Sequence, residues 1–233
     1  MKTSLQCVLL AVVVFFSEAR SLSATCPGGI NHVCHYSPID PAGSKGSQSL
    51  TLGFGVASEP SINASTGITT DYTEANANEI LRVFVTKGLS LPVDFGLMLG
   101  TSTTGQFQQT GVHAQWTVFE GFRLPAFTVR GSLLRSAWTD WSQDGNQGDS
   151  ASNQGIRLES VDLRSWEMLA SWGVFGVLTP YAGLGVAEAV NERSLTRFSG
   201  LEVQVMPPFI RIGVESRSAF AKNQVMAKIS LGL

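Results

Sequence analysis

Apolar and polar residues alternate along most of this chain. In residues 224–233, Val225, Ala227, Ile229, Leu231 and Leu233 share one parity, and Met226, Lys228, Ser230 and Gly232 share the other. Successive side chains of an extended strand point to opposite faces, so this stretch predicts a terminal strand with one apolar face. The same alternation recurs upstream. It is carried by Leu50, Leu52, Phe54 and Val56, then by Leu81, Val83 and Val85, and then by Val93, Phe95, Leu97 and Leu99. Val112, Ala114, Trp116 and Val118 follow, then Phe127, Val129, Gly131 and Leu133, then Trp166, Met168, Ala170, Trp172 and Val174. Ala182, Leu184 and Val186, Leu201, Val203 and Val205, and Ile210, Ile212 and Val214 complete the set. The pattern predicts about ten strands of near ten residues each, roughly what a tilted strand needs to cross hydrocarbon.

The connections between these strands alternate in kind. Short ones carry proline, at Leu91-Pro92, Leu124-Pro125, Thr179-Pro180 and Met206-Pro207-Pro208. Proline lacks the N–H that a ladder needs and belongs at strand ends. Polar, longer connections are expected over residues 58–79, 101–110, 139–165, 188–196 and 216–223. An even number of strands returns the C-terminus to the side where the chain enters, and residues 49–57 are expected to close the sheet against the terminal strand. Closure removes both edges and pairs every backbone group, which a strand in lipid requires.

Charge decides which face points inward. The apolar faces contain no Asp, Glu, Lys or Arg. The opposite faces hold Arg82, Asp94, His113, Arg130, Glu167, Glu202, Arg211, Glu215 and Lys228, among Gly, Ser, Thr and Gln. Apart from His113, acids and bases balance. Balance suits an interior where charges must pair, because one buried charge left unpaired costs several kcal/mol. The sequence therefore predicts an all-β, closed antiparallel, up-and-down transmembrane barrel over residues 49–233, with these nine side chains as a lumenal charge network. Trp116, Trp166, Trp172 and the phenylalanines beside the turns are placed either to form interfacial girdles or simply to cover lipid-facing area.

Composition agrees. Only 15% of residues are charged and the net charge is -2, against about a quarter charged in a soluble domain. No basic excess points to nucleic acid. Residues 1–24 read as a secretory leader, with Lys2 as the positive end, an apolar run over 5–16 too short to span, and small residues before position 25. Thr25 before Cys26 makes a poor lipoprotein box. Residues 25–48 are expected to lie outside the barrel as a periplasmic segment. There Cys26 and Cys34 pair as a disulfide or, with His32 and His35, hold a metal. The spacing matches no zinc pattern, which favours the disulfide and assigns no metal. Residues 140–149 carry acids and amides but lack calcium-loop spacing, and read as a surface loop.

Leader, alternating strands, turn–loop asymmetry and a strand-final C-terminus together resemble the small outer-membrane β-barrels of Gram-negative bacteria. The resemblance covers about residues 49–233 and is architectural. Leu233 departs from the aromatic residue usual at the end of that family. The resemblance implies residence in the bacterial outer membrane, contact with its lipids and assembly by the barrel-assembly machinery. It carries over no catalytic residue and no cofactor.

Three roles fit such a barrel. The first is a structural or surface-interaction protein with a side-chain-filled lumen, meeting an extracellular ligand through residues 58–79 and 139–165. The second is a narrow porin-like channel. The third is a surface enzyme, a lipid A hydrolase or protease, with His113 near the rim beside Asp94 and Glu167. About eight strands are just filled by side chains and about sixteen leave a channel, so about ten favours the first.

Overall fold

The computed structural model describes residues 36–58, 79–102, 107–121, 124–140, 157–189, 192–207, 209–220 and 222–233. The leader and Cys26, His32, Cys34 and His35 lie outside the described residues. The strands are β1 (Leu50–Ser58), β2 (Glu79–Gly88), β3 (Val93–Ser102), β4 (Phe107–Gly121), β5 (Leu124–Asp140), β6 (Arg157–Ser171), β7 (Leu178–Ala189), β8 (Glu192–Met206), β9 (Ile210–Ala219) and β10 (Lys222–Gly232). Each pairs antiparallel with its neighbours in sequence, and β1 pairs with β10 to close the barrel. The closing register runs from Thr51 opposite Gly232 to Ser58 opposite Val225.

The apolar faces point outward. Phe54 is 49% exposed, Leu97 57%, Met168 64% and Trp166 70%. Arg82, Arg130, Glu167 and Glu215, on the opposite parity, are buried. An apolar exterior over paired backbone is the arrangement lipid demands, since it offers no hydrogen bonds.

Several strands run past their expected ends. β5 and β6 stay paired from Ala126–Ser171 to Asp140–Arg157, so the expected connection over 139–165 shortens to 141–156. Alternation explains the extension: Val161 and Leu163 point inward and are buried, while Asp162 and Arg164 point outward. The other expected polar stretches also carry strand, and the connections there reduce to residues 103–106, 190–191 and 220–221. Residues 59–78 and 141–156 thus supply the long connections of one end. Residues 89–92, 122–123, 172–177 and 207–209 join strands at the other. β6 stops at Ser171 instead of continuing to Val174, because Phe175 (φ 55°) and Gly176 (φ 68°) turn the chain left-handed and Val174 pairs back to Leu178.

The largest difference from expectation lies before β1. Residues 36–46 do not stand outside the barrel. They run through its interior alongside β4, from the Tyr36 ring against Gly111 past the Ser44 N–H, which donates to Glu120 at 3.2 Å, and Ser47 and Gln48 emerge exposed before β1. Tyr36, Ser37, Ile39 and Asp40 are buried there. This segment has neither alternation nor a hydrophobic run. The barrel's inward side chains bind its main chain, and that recognition leaves no periodic mark in its sequence.

Candidate functional site

The barrel interior with its resident segment is the candidate site. It is layered. Toward the loop end an apolar cluster occupies inward positions, including Ile80, Phe84, Met98, Leu134, Leu163 and Met226, packed with Tyr36 and Ile39, with buried Arg82, Gln109 and Gln224 among them. The expectation of a lumen mixing charges only with small and polar residues is corrected at this level. Inward side chains packed on one another exclude water, so apolar groups fill the space without a desolvation cost.

Below this layer the segment's backbone is held by side chains from around the barrel wall. Lys228 donates to the Pro38 carbonyl at 2.6 Å, and Arg130 to the Asp40 carbonyl at 2.5 Å. Gln115 donates to the carbonyls of Pro41 and Gly43, at 3.2 and 3.3 Å, and Ser171 to that of Ala42 at 2.7 Å. The wall also accepts. The N–H of Gly43 donates to Thr128, and that of Lys45 to both oxygens of Asp94, each at 3.2 Å. Buried main-chain groups are nearly always paired, and here side chains replace the ladder. Ile39 adopts φ 53°, unusual for a β-branched residue, with its N–H bonded to Ser37 Oγ at 3.0 Å.

Charge is concentrated at two points. At the first, Asp40 accepts from Lys228 at 2.6 Å and meets the Lys45 ammonium at 3.1 Å. Burial works to raise the Asp40 carboxyl, but Lys228 and Lys45 overcome it and hold the group well below the usual carboxylate range. At the second, Arg217 bonds Glu167 and reaches Glu215 at 3.0 Å, with its guanidinium 4.4 Å from the centre of the Phe198 ring. Tyr181 donates to the other Glu215 oxygen at 3.0 Å, and Arg130 lies 3.6 Å from Glu167.

Among the nine residues singled out by sequence, the structure brings together Arg130 with Glu167, and Arg211 with Glu202 at 3.8 Å. The others find different partners. Lys228 meets Asp40, Asp94 meets the Lys45 backbone, Glu215 meets Arg217, and Arg82 bonds Gln109 at 3.2 Å and the Met226 sulfur at 3.1 Å. His113, expected in the lumen and at the rim only under the enzyme reading, is buried, with Nδ1 2.6 Å from the Tyr36 hydroxyl. His113, Asp94 and Glu167 thus each hold a different partner. Sequence reasoning missed Asp40, Lys45, Tyr36 and Arg217. A signal for Arg217 existed: Gly213, Glu215 and Arg217 continue the inward parity of β9 beyond the expected strand end.

At the turn end the lumen opens into a polar mouth of about 650 Å³, lined in part by Lys45, Glu120, Glu202 and Arg211. No group of metal-ligating side chains forms among the described residues.

An exterior band of apolar side chains around an interior that holds the buried charges decides the architecture. The chain is a closed ten-stranded β-barrel of the membrane-spanning type. Among solved structures, it is similar to KdgM porin at 9% identity and TM-score 0.45, covering 78% of this chain and 99% of that one. It is similar to the N-terminal barrel domain of Pseudomonas aeruginosa OprF at 9% identity and TM-score 0.40, covering 81% and 100%. It is similar also to Acinetobacter baumannii outer membrane protein Omp33 at 6% identity and TM-score 0.37, covering 83% and 100%. These likenesses concern the fold. No protein-family model matches the chain, and no curated protein matches it in sequence.

Proposed function

We propose that this barrel is an outer-membrane structural or surface-interaction protein whose lumen is closed by its own N-terminal segment. The observation that carries the reading is the fit of residues 36–45: their carbonyls and amides meet donors and acceptors on β3, β4, β5, β6 and β10. A transport path would leave such wall groups to water or solute. Here a covalently attached occupant takes them.

The orientation that belongs to this reading puts residues 59–78 and 141–156 outside the cell, where they would meet a partner, and both chain ends in the periplasm. Export by the leader, a Cys26–Cys34 disulfide and insertion by the barrel-assembly machinery are parts of the same proposal.

Planar-bilayer recording on the purified full-length mature protein tests the closed lumen. The expected result is no steady conductance. Stable channel openings from the intact chain would overturn the reading in favour of the porin-like one.

A further inference from the structure

The outer surface of β2–β7 carries a groove of about 1070 Å³. Its floor is Ala114, which lies between Phe95 and Gly131 across the sheet, with Trp166 next in the row. The Trp166 ring lies across Gly131, where an added Cβ would come within 2.9 Å of it. Trp116 and Leu133 stand on either side. The groove is set in the apolar band, so its occupant must be apolar along most of its length.

Its loop-end border is charged. Arg164 is two residues from Trp166 on the same outward face, opposite Leu133 on β5 and Glu188 on β7. Both nearby carboxylates are already engaged: Asp162 with Arg135 at 2.7 and 2.9 Å, and Glu188 with Arg193 at 3.1 Å. Among the described residues Arg164 has no hydrogen-bond or ion-pair partner. A guanidinium that makes no close ion pair, beside two that do, at the end of an apolar groove on a membrane-facing wall, complements a ligand with an acyl chain and a terminal anion.

We propose that this groove seats a phosphate-bearing lipid, its acyl chain over Ala114 between Phe95 and Trp166 and its phosphate on Arg164. The proposal rests on the barrel spanning a membrane. It does not rest on whether the lumen conducts, so its failure would leave the closed-barrel reading standing.

Native mass spectrometry of the full-length mature protein in detergent tests the site, with bis-phosphorylated lipid A and zwitterionic phosphatidylethanolamine as probes. The expected result is a one-to-one lipid A adduct that inorganic phosphate does not displace and that phosphatidylethanolamine does not match. Arg164→Glu should weaken it about tenfold, the loss of one charge-assisted contact. Ala114→Phe, which fills the groove, should weaken it as well. Heat-modifiable mobility in detergent gels checks that each variant is folded, and Arg164→Gln replaces Arg164→Glu if that one is not. Equal lipid A binding by the folded arginine variant would overturn the proposal. So would equal retention of phosphatidylethanolamine, displacement by free phosphate, or a protein dimer that buries the groove and holds no lipid.

Discussion

The Lys228 ammonium lies 2.6 Å from the Asp40 carboxylate, joining the closing strand to a segment 188 residues earlier in the chain. Both groups are buried, and the same ammonium also donates to the Pro38 carbonyl. This contact pins the lumenal segment to the seam where β10 meets β1. Closing the barrel and filling it are therefore coupled: Lys228 faces Gly55 across that seam while it grips the segment inside.

Removing the carboxylate tests the coupling. Asp40→Ala leaves Lys228 and Lys45 in the lumen without their anion. Breaking a buried pair from one side typically costs about 3 to 5 kcal/mol. Asp40→Ala should lower the urea midpoint of the folded barrel and raise hydrogen exchange over residues 36–44. The double variant Asp40→Leu/Lys228→Met removes both charges and should recover part of the loss. Exchange over 36–44 that stays unchanged in Asp40→Ala would show that the ion pair does not hold the segment.

Acidity should act on this contact late. The Asp40 carboxyl titrates below its ordinary value in the folded protein, because Lys228 and Lys45 outweigh the opposing effect of burial. A depressed carboxyl contributes stability fully above its unfolded-state value, and loses it as pH falls through the lower folded-state value. The stability difference between the wild-type protein and Asp40→Asn should therefore hold constant from neutral pH down to about pH 5, and shrink only below about pH 4. Urea titrations of both proteins across that range measure it. A difference that fades between pH 7 and 5 would contradict the assignment.

Arg217 is the hub of the second charge cluster. It bonds Glu167 and Glu215, both buried, and stacks on Phe198. Arg217→Met removes the cation and leaves Glu215 with Tyr181, and Glu167 with the more distant Arg130. The expected loss is about 3 to 5 kcal/mol. Adding Glu167→Gln to Arg217→Met should cost less than the sum of the single changes, with a coupling of about 1 to 3 kcal/mol. Reversible unfolding from lipid vesicles in urea gives all four corners of the cycle. Additive losses would mean that the two side chains do not interact.

Strand identity and facing were legible because both follow from local rules. Leu97 and Leu99 face lipid while Met98 is buried, simply because a strand side chain flips at every residue. Strand length was less legible. β5 and β6 carry Arg135, Asp162 and Arg164 outward near the loop end, and such charges read as loop when they merely stand above the apolar band. The apolar upper lumen was hidden for a related reason. Phe84 and Met98 sit at inward positions flanked by apolar outward neighbours, so their stretches show little contrast between faces.

By itself the sequence determined that this chain makes a strand-built, apolar-skinned cylinder with charged residues on its inner parity, because period-two alternation and the absence of charge on one face are local properties of the chain. Tertiary structure alone decided which charges meet. Glu215 takes Arg217 two residues away, yet Lys228 takes Asp40, and Arg130 takes a backbone carbonyl of the resident segment. Those choices depend on the stagger of ten closed strands and on a non-periodic segment threaded among them. A partner selected by position in a closed three-dimensional wall leaves no periodic trace along the chain.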